Sequence, residues 1–392
     1  MAALFQFSIF NFQFIITTPV PPQEVIYVDH HATTPCDPRV VETMLPYFTE
    51  HFGNPASIAH HHGRKASMAL EDARIAVARF FGVLPPEIYF TAGATESNNI
   101  ALNLVGPDEH LVTGPGEHKS ILAPASSKNV TYVQPDREGR ITPEALRDAL
   151  RPETRLVSIE AANGEIGTIQ PIAELAALCR ERKIFFHTDA TQAAGKIPLD
   201  LGNVDLASFS AHKLYGPKGI GALFVRRGVR ASPVVIGGGQ ERNVRSGTVN
   251  VPGAVGFAEA LRLRAEEMAD EALRLAQLRD ELRDALVERI DGVLVNGPRE
   301  LRLPGNLNVS FARIEAESLI IAMKRFSLSS GSACSTGEKG PSRVLKAIGL
   351  DDGAAMGSIR FGLGKSNTAE QVHMLTDDLQ RVVRRLRELA PA

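Results

Sequence analysis

The sequence predicts an α/β fold, with a large mostly parallel sheet covered by helices and a smaller α+β unit after it. Three observations carry this expectation. Short apolar runs alternate with helical periodicity from residue 88 to residue 225, as parallel βαβ units require. A helical pattern then runs over residues 252–290, with Leu275, Leu278, Leu282, Leu286 and Ile290 at three-to-four spacing. Beyond it, strand and helix patterns lose their steady alternation, which suits a small α+β domain. The expected division is an apolar extension over 1–24, a large domain over 25–264 and a small domain over 265–392. The first residues after 24 are expected to pack on the small domain.

In chain order, residues 1–20 hold no charge and are rich in Phe. Polar and apolar residues alternate there, a strand-like period, until Pro19, Pro21 and Pro22 interrupt it. No basic n-region precedes the run, so it is not read as a secretory signal. Residues 26–29 read as a strand, 38–48 and 63–81 as helices, and 88–91 as a strand entering the small-residue turn Ala92-Gly93-Ala94-Thr95. A helix follows over 97–105. Residues 110–113, 130–133 and 156–160 read as strands, with helices over 143–150 and 171–182. The apolar runs 184–187 and 206–209 read as buried strands, each followed closely by a chemically useful group, Asp189 and Lys213. Residues 222–225 form a further strand. After the long helix come a strand at 308–311, helices at 316–324 and 342–348, a strand at 358–361 and a terminal helix over 368–389.

The chain has 392 residues and a formal net charge of −2. That balance argues against a nucleic-acid binder, which shows a basic excess or stripe. No apolar run reaches the length of about 20 residues that spans a membrane, so no membrane partner is expected. Cys36, Cys179 and Cys334 are odd in number and far apart, which is neither a disulfide framework nor a zinc site. A reducing, cytoplasmic setting fits. His60-His61-His62 invites a metal reading, but three consecutive residues do not converge on one ion, so a polar start to a helix is expected and no metal.

Ligands of open α/β sheets bind beyond the carboxyl ends of the strands. Asp189 and Lys213 therefore meet at one crevice. A lysine there can form a Schiff base and a carboxylate can hold a protonated pyridine nitrogen, the two parts that a pyridoxal phosphate (PLP) enzyme supplies. The turn at 92–95, just before a helix, can bring backbone N–H groups to a phosphate. The loop from Gly237 to Thr248, with Arg242 and Arg245, suits an anion. Cys334 lies among Ser, Gly and Thr residues with Lys339 and Arg343 downstream, a setting that favours its thiolate. Cys179 sits within an amphipathic helix and reads as core.

Several ordered motifs carry a resemblance. They are Asp29-His30-His31-Ala32-Thr33-Thr34-Pro35, Thr91 through Asn99, Glu117-His118-Lys119, Asp189-Ala190-Thr191-Gln192, Ser208 through Lys213, Arg245-Ser246-Gly247-Thr248, Ser329 through Cys334 and Ser358-Ile359-Arg360-Phe361. Together they resemble the cysteine desulfurases of the fold-type I, class V aminotransferase-like PLP family, in the subgroup with a long cysteine loop. The resemblance implies that Lys213 holds PLP covalently, Asp189 bonds the pyridine nitrogen and Gln192 the ring O3′. His118 would stack on the ring and take part in proton transfer. Ala94, Thr95, Ser210 and His212 would cradle the phosphate. Thr248 would reach the PLP of a neighbouring subunit, which implies a homodimer. Arg360 would clamp the carboxylate of L-cysteine, and Cys334 would take its sulfur as a persulfide, for iron–sulfur scaffold proteins or other sulfur acceptors. One position departs from the pattern. Where the family has two asparagines, this chain has Asn163-Gly164. Either Asn163 turns inward, a water substitutes, or the contact is missing. The rival readings are a selenocysteine lyase or an aminotransferase of the same fold, or a non-catalytic scaffold copy. An aminotransferase has no use for a loop cysteine, so Cys334 discriminates.

Overall fold

The structure, a computed structural model, describes residues 25–331 and 340–389. The chain opens with β1 (Ile26–Tyr27), α1 (Pro38–Met44), α2 (Pro46–Thr49) and α3 (His61–Phe81). The single helix expected over 38–48 is broken at Leu45, because Pro46 has no N–H with which to continue the ladder and starts α2 instead. The helix α3 ends on Gly82, whose φ of 66° supplies the left-handed cap. Next come β2 (Ile88–Thr91), α4 (Ala94–Leu102), β3 (His110–Thr113), α5 (Lys119–Ala125), β4 (Asn129–Tyr132) and α6 (Pro143–Ala149). The large sheet is completed by β5 (Thr154–Ser158), α7 (Ile172–Glu181), β6 (Phe185–Asp189), β7 (Leu206–Ser210) and β8 (Gly221–Val225).

This sheet has seven strands in the order β2-β8-β7-β6-β5-β3-β4. The pairs among β4, β3, β5, β6 and β7 are parallel, whereas β8 runs antiparallel to both β7 and β2. The strands β6, β7 and β8 are buried almost throughout, which is why they read as continuous apolar runs rather than alternating ones. The core of the large sheet, with Val77, Phe90, Phe186, Phe209 and Phe257, fills one face; a smaller cluster, with Ile100, Leu111, Leu156 and Leu223, fills the other.

The 39-residue helix α8 (Val251–Arg289) joins two packing regions. Its first half contributes Ala254, Phe257 and Leu261 to the core behind the large sheet. Its second half contributes Leu275, Leu278, Leu282 and Leu286 to a separate core with Leu307, Val309, Ile359, Phe361, Leu375 and Leu379. Around that second core lie β9 (Val293–Asn296), β10 (Asn306–Phe311), α9 (Ala316–Ala322), β11 (Phe326–Ser327), β12 (Ser358–Gly362) and α12 (Ala369–Leu389), while α10 (Arg343–Ala347) and α11 (Asp352–Met356) form a small cluster with Ile166. The order β12-β10-β9 is antiparallel throughout. β1 pairs in parallel with β11, and Ile26 and Val28 join the second core. The start of the described chain is thereby stitched across to the later residues.

Candidate active site

Asp189 is the last residue of β6, and Lys213 closes a one-turn 3₁₀ helix (Ala211–Lys213) directly after β7. These two strands are parallel neighbours, with Asp189 registered against Ser208. Adjacent parallel strands end on the same side of a sheet, so both groups face one cavity of about 1310 Å³. Ala94, Thr95, His118, Gln192, Ser210, His212 and Arg360 line it as well. Lys213 is 9% exposed, and its Nζ donates to the carbonyls of His31 at 2.6 Å and Ala32 at 2.7 Å. Asp189 Oδ1 accepts the N–H of Thr191 at 3.0 Å, and Oδ2 accepts from Asn98 at 2.7 Å.

The N-terminus of α4 supplies the opposite wall. Gly93 has φ 151°, a value a side chain rarely takes, and a Cβ there would stand 3.8 Å from Ser210 Oγ. A Cβ on Gly221 would come 2.7 Å from Gly93 Cα, so the turn lies flat against the start of β8. Backbone N–H groups at such a turn, with the helix dipole behind them, make an anion cradle beside Ser210. His212 holds Thr33 Oγ1 at 3.0 Å through Nδ1, and burial with nearby Lys213 lowers its pKa to about 4.

On the second-core side, Arg360 Nη2 donates to Asp29 Oδ1 at 2.7 Å and Nη1 to the Gly164 carbonyl at 3.2 Å. Its Nε is buried with no partner among the described residues. Arg360 lines the cavity, and a planar guanidinium fork there suits a carboxylate ligand. Gln192 lies between these groups. Its Nε2 donates to the His31 carbonyl at 2.9 Å, and its Oε1 accepts from Lys196 Nζ at 2.9 Å.

The turn around Gly164 resolves one of the alternatives left by the sequence. Asn163 is fully employed: Nδ2 donates to Glu160 at 2.7 Å, and Oδ1 accepts the N–H groups of Glu165 and Ile166, each at 2.9 Å. Asn163 lines the cavity, but its amide is committed to these local partners. A Cβ on Gly164 would stand 2.6 Å from Gln192 Nε2, so the Gln192 amide occupies the space that a side chain at 164 would need. Three carboxyls beside this turn are held toward their neutral forms. Burial, with Glu160 next, pushes Glu117 well up; burial raises Glu160 to about 8 and Glu165 to about 7.

A family model described as aminotransferase class-V matches residues 26–375. The chain belongs to that family. It is 49% identical over 380 residues to a protein named cysteine desulfurase IscS from Anaeromyxobacter dehalogenans, covering 93% of this chain and 94% of that one. A Saccharomyces cerevisiae protein named cysteine desulfurase, mitochondrial, is 47% identical over 380 residues, covering 93% of this chain and 76% of that one. A solved structure titled NifS-like protein superposes with a TM-score of 0.85 at 38% identity, covering 92% of this chain and 99% of that one.

PLP is the cofactor of this class-V desulfurase family, and the residues present fit it. A buried carboxylate and a buried lysine share a cavity whose other wall is an anion cradle, as a ring nitrogen, an aldehyde and a phosphate require. Among the described residues no group of His, Cys, Asp or Glu could hold a metal ion. His61 and His62 begin α3, and His60 caps it by accepting the N–H of Gly63. No described helix is long and apolar enough to cross a membrane.

Of the residues picked from the sequence, Thr248 does not line this cavity and is exposed. Cys334 lies outside the described residues. Cys179 is fully buried and its thiol is pushed up to about 12, as a core residue. Sequence reasoning gave no role to Asp29, His31, Asn98 or Glu117, although each lies inside a motif already singled out. Lys196 and Glu160 carried no signal at all, because only the fold brings Glu160 to the cavity and Lys196 behind Gln192.

Proposed function

We propose that this cavity is where the chain removes sulfur from L-cysteine, leaving L-alanine and a persulfide on Cys334. The reaction is PLP-dependent cysteine desulfuration. The observation that carries it is the convergence of Lys213, Asp189 and Arg360 on one cavity in a chain about half identical to proteins named for this reaction.

PLP, when bound, supplies the electron sink that labilises the bonds around the substrate Cα. The chain's own groups do the rest. Ala94, Thr95, Ser210 and His212 would hold its phosphate, Asp189 its ring nitrogen and Gln192 its O3′, with His118 on the cavity wall to stack on the ring. Lys213 would hold the cofactor and carry the proton taken from the substrate Cα. Arg360, on the cavity wall, would take the substrate carboxylate with its guanidinium fork. Cys334 attacks the substrate sulfur as a thiolate. An S–S bond forms, the C–S bond breaks, and its electron pair returns to the carbon skeleton, which takes up a proton and leaves as L-alanine.

The working unit is a homodimer in which Thr248 reaches the cofactor phosphate of the partner subunit. Its exposure outside the cavity of its own chain supports this. So does the run Val234, Val235 and Ile236, exposed by 41%, 55% and 90% at the cavity rim. The sulfur passes to iron–sulfur scaffold proteins or other acceptors in the cytoplasm. The test is mass spectrometry after addition of L-cysteine to the PLP-loaded protein. The expected result is a gain of about 32 Da, one sulfur atom, at Cys334. A Cys334→Ala variant that still releases alanine and sulfide at the full rate overturns the assignment.

A further inference from the structure

Two residues with no role so far connect two that have one. Asn98 Nδ2 donates to Asp189 Oδ2 at 2.7 Å and to Ser120 Oγ at 2.8 Å. Ser120 Oγ in turn lies 2.7 Å from His118 Nδ1. The backbone N–H of Ser120 also donates to Nδ1, at 3.1 Å, because His118 is the N-cap of α5. Asn98 is fully buried and Ser120 is 7% exposed, so water does not compete for these bonds.

The proton on each bond can be assigned. A carboxylate only accepts, so Asn98 must turn its NH₂ toward Asp189, and its second N–H goes to Ser120. Ser120 Oγ accepts that bond and keeps one O–H to give. The nearest acceptor is His118 Nδ1. That nitrogen already faces a backbone N–H, which cannot turn away or reverse. Nδ1 is therefore the unprotonated ring nitrogen, and the proton of the neutral ring sits on Nε2.

We infer that Asn98 and Ser120 are positioning residues that link Asp189 to His118 through one hydrogen-bond chain and hold the His118 ring as its Nε2–H tautomer. His118 then offers the cavity a donor, not an acceptor. It can steady a developing negative charge, while a proton leaving the substrate goes to Lys213. That catalytic consequence rests on the function proposed above; the tautomer does not.

The experiment is ¹⁵N NMR of the PLP-loaded protein labelled at histidine, with His118 assigned by its loss in His118→Gln. A pyridine-type Nδ1 and a pyrrole-type Nε2 are expected. Ser120→Ala should move Nδ1 to the position of an acceptor with one donor. It should also lower kcat about three- to tenfold, the worth of one hydrogen bond, with KM almost unchanged. Ser120→Thr, which keeps the hydroxyl, should restore both. A pyrrole-type Nδ1 in the parent protein overturns the inference without any variant. So does an Nδ1 signal that Ser120→Ala leaves in place. A protein that retains no PLP absorbance refutes the proposed function instead, and the ring shifts still decide the tautomer.

Discussion

Gly164 and Gln192 compete for one volume. The Gln192 amide is held by the His31 carbonyl and by Lys196, and a Cβ at 164 would meet it at 2.6 Å. Gly164→Ala should therefore push Gln192 off its partners and weaken PLP retention about tenfold, the worth of one or two hydrogen bonds. In a Gln192→Ala background the same substitution should have little further effect, since the displaced group is gone. A double-mutant cycle on the PLP dissociation constant measures this coupling, and additive effects would falsify it. Asn163, by contrast, is committed to its own turn. The sequence could not tell these two residues apart in role, because both are short hops from a strand end and differ only in who already bonds them.

The turn from Glu160 to Gly167 shows what an element adds to its residues. It follows β5 and carries Asn163, Gly164 and Glu165 into the cavity wall. Glu165 is 8% exposed, with Oε1 lacking a partner among the described residues. Burial raises its pKa to about 7, against the smaller opposing effects of a Ser342 hydrogen bond and Arg360. An unfolded glutamate titrates near 4.3, roughly. The folded chain thus binds this proton more tightly. Stability present below the unfolded value is lost as the pH rises through about 7. Glu165→Gln removes that titration, so its fall in stability from pH 5 to pH 8 should be smaller by on the order of 1–3 kcal/mol. Denaturant unfolding at the two pH values decides it; an unchanged pH slope counts against the buried carboxyl. Glu160, raised to about 8, adds a loss of the same sign and is left intact. Elements of this kind were the least legible in the sequence. The strands β6, β7 and β8 were readable because burial on both faces leaves unbroken apolar runs. Four short elements were not: α5 holds an internal proline, and β9, β11 and α11 have two to five residues each. Missing α5 also hid the cap that fixes the His118 ring.

At the scale of the molecule, α8 lets the site exist between two cores. Its halves bury leucines and a phenylalanine in different clusters, so the wall bearing Asp189 and Lys213 and the wall bearing Arg360 are tied to one rigid rod. The Asp29–Arg360 bond and the β1–β11 pairing cross the same gap from the chain's start. The sequence disclosed the long helix by its leucine spacing, but not that β8 would reverse, since strand direction is a property of the sheet rather than of any one strand. What this rod leaves uncovered is the rim. Ile236 is 90% exposed beside Val234 and Val235, and these three adjacent β-branched side chains at a cavity mouth form the surface that the proposed partner subunit would cover. Burying Ile236 alone stabilises an interface by about 1.5–3 kcal/mol, and a buried charge in its place costs at least as much. On the homodimer proposed above, Ile236→Glu should therefore shift the sedimentation equilibrium from dimer toward monomer by more than tenfold in the dissociation constant. The monomer should still fold, because Ile236 belongs to neither core. On that same proposal it should lose activity, because Thr248 would no longer reach a partner's site. A variant that stays dimeric at the same concentrations would place the subunit contact elsewhere on the surface.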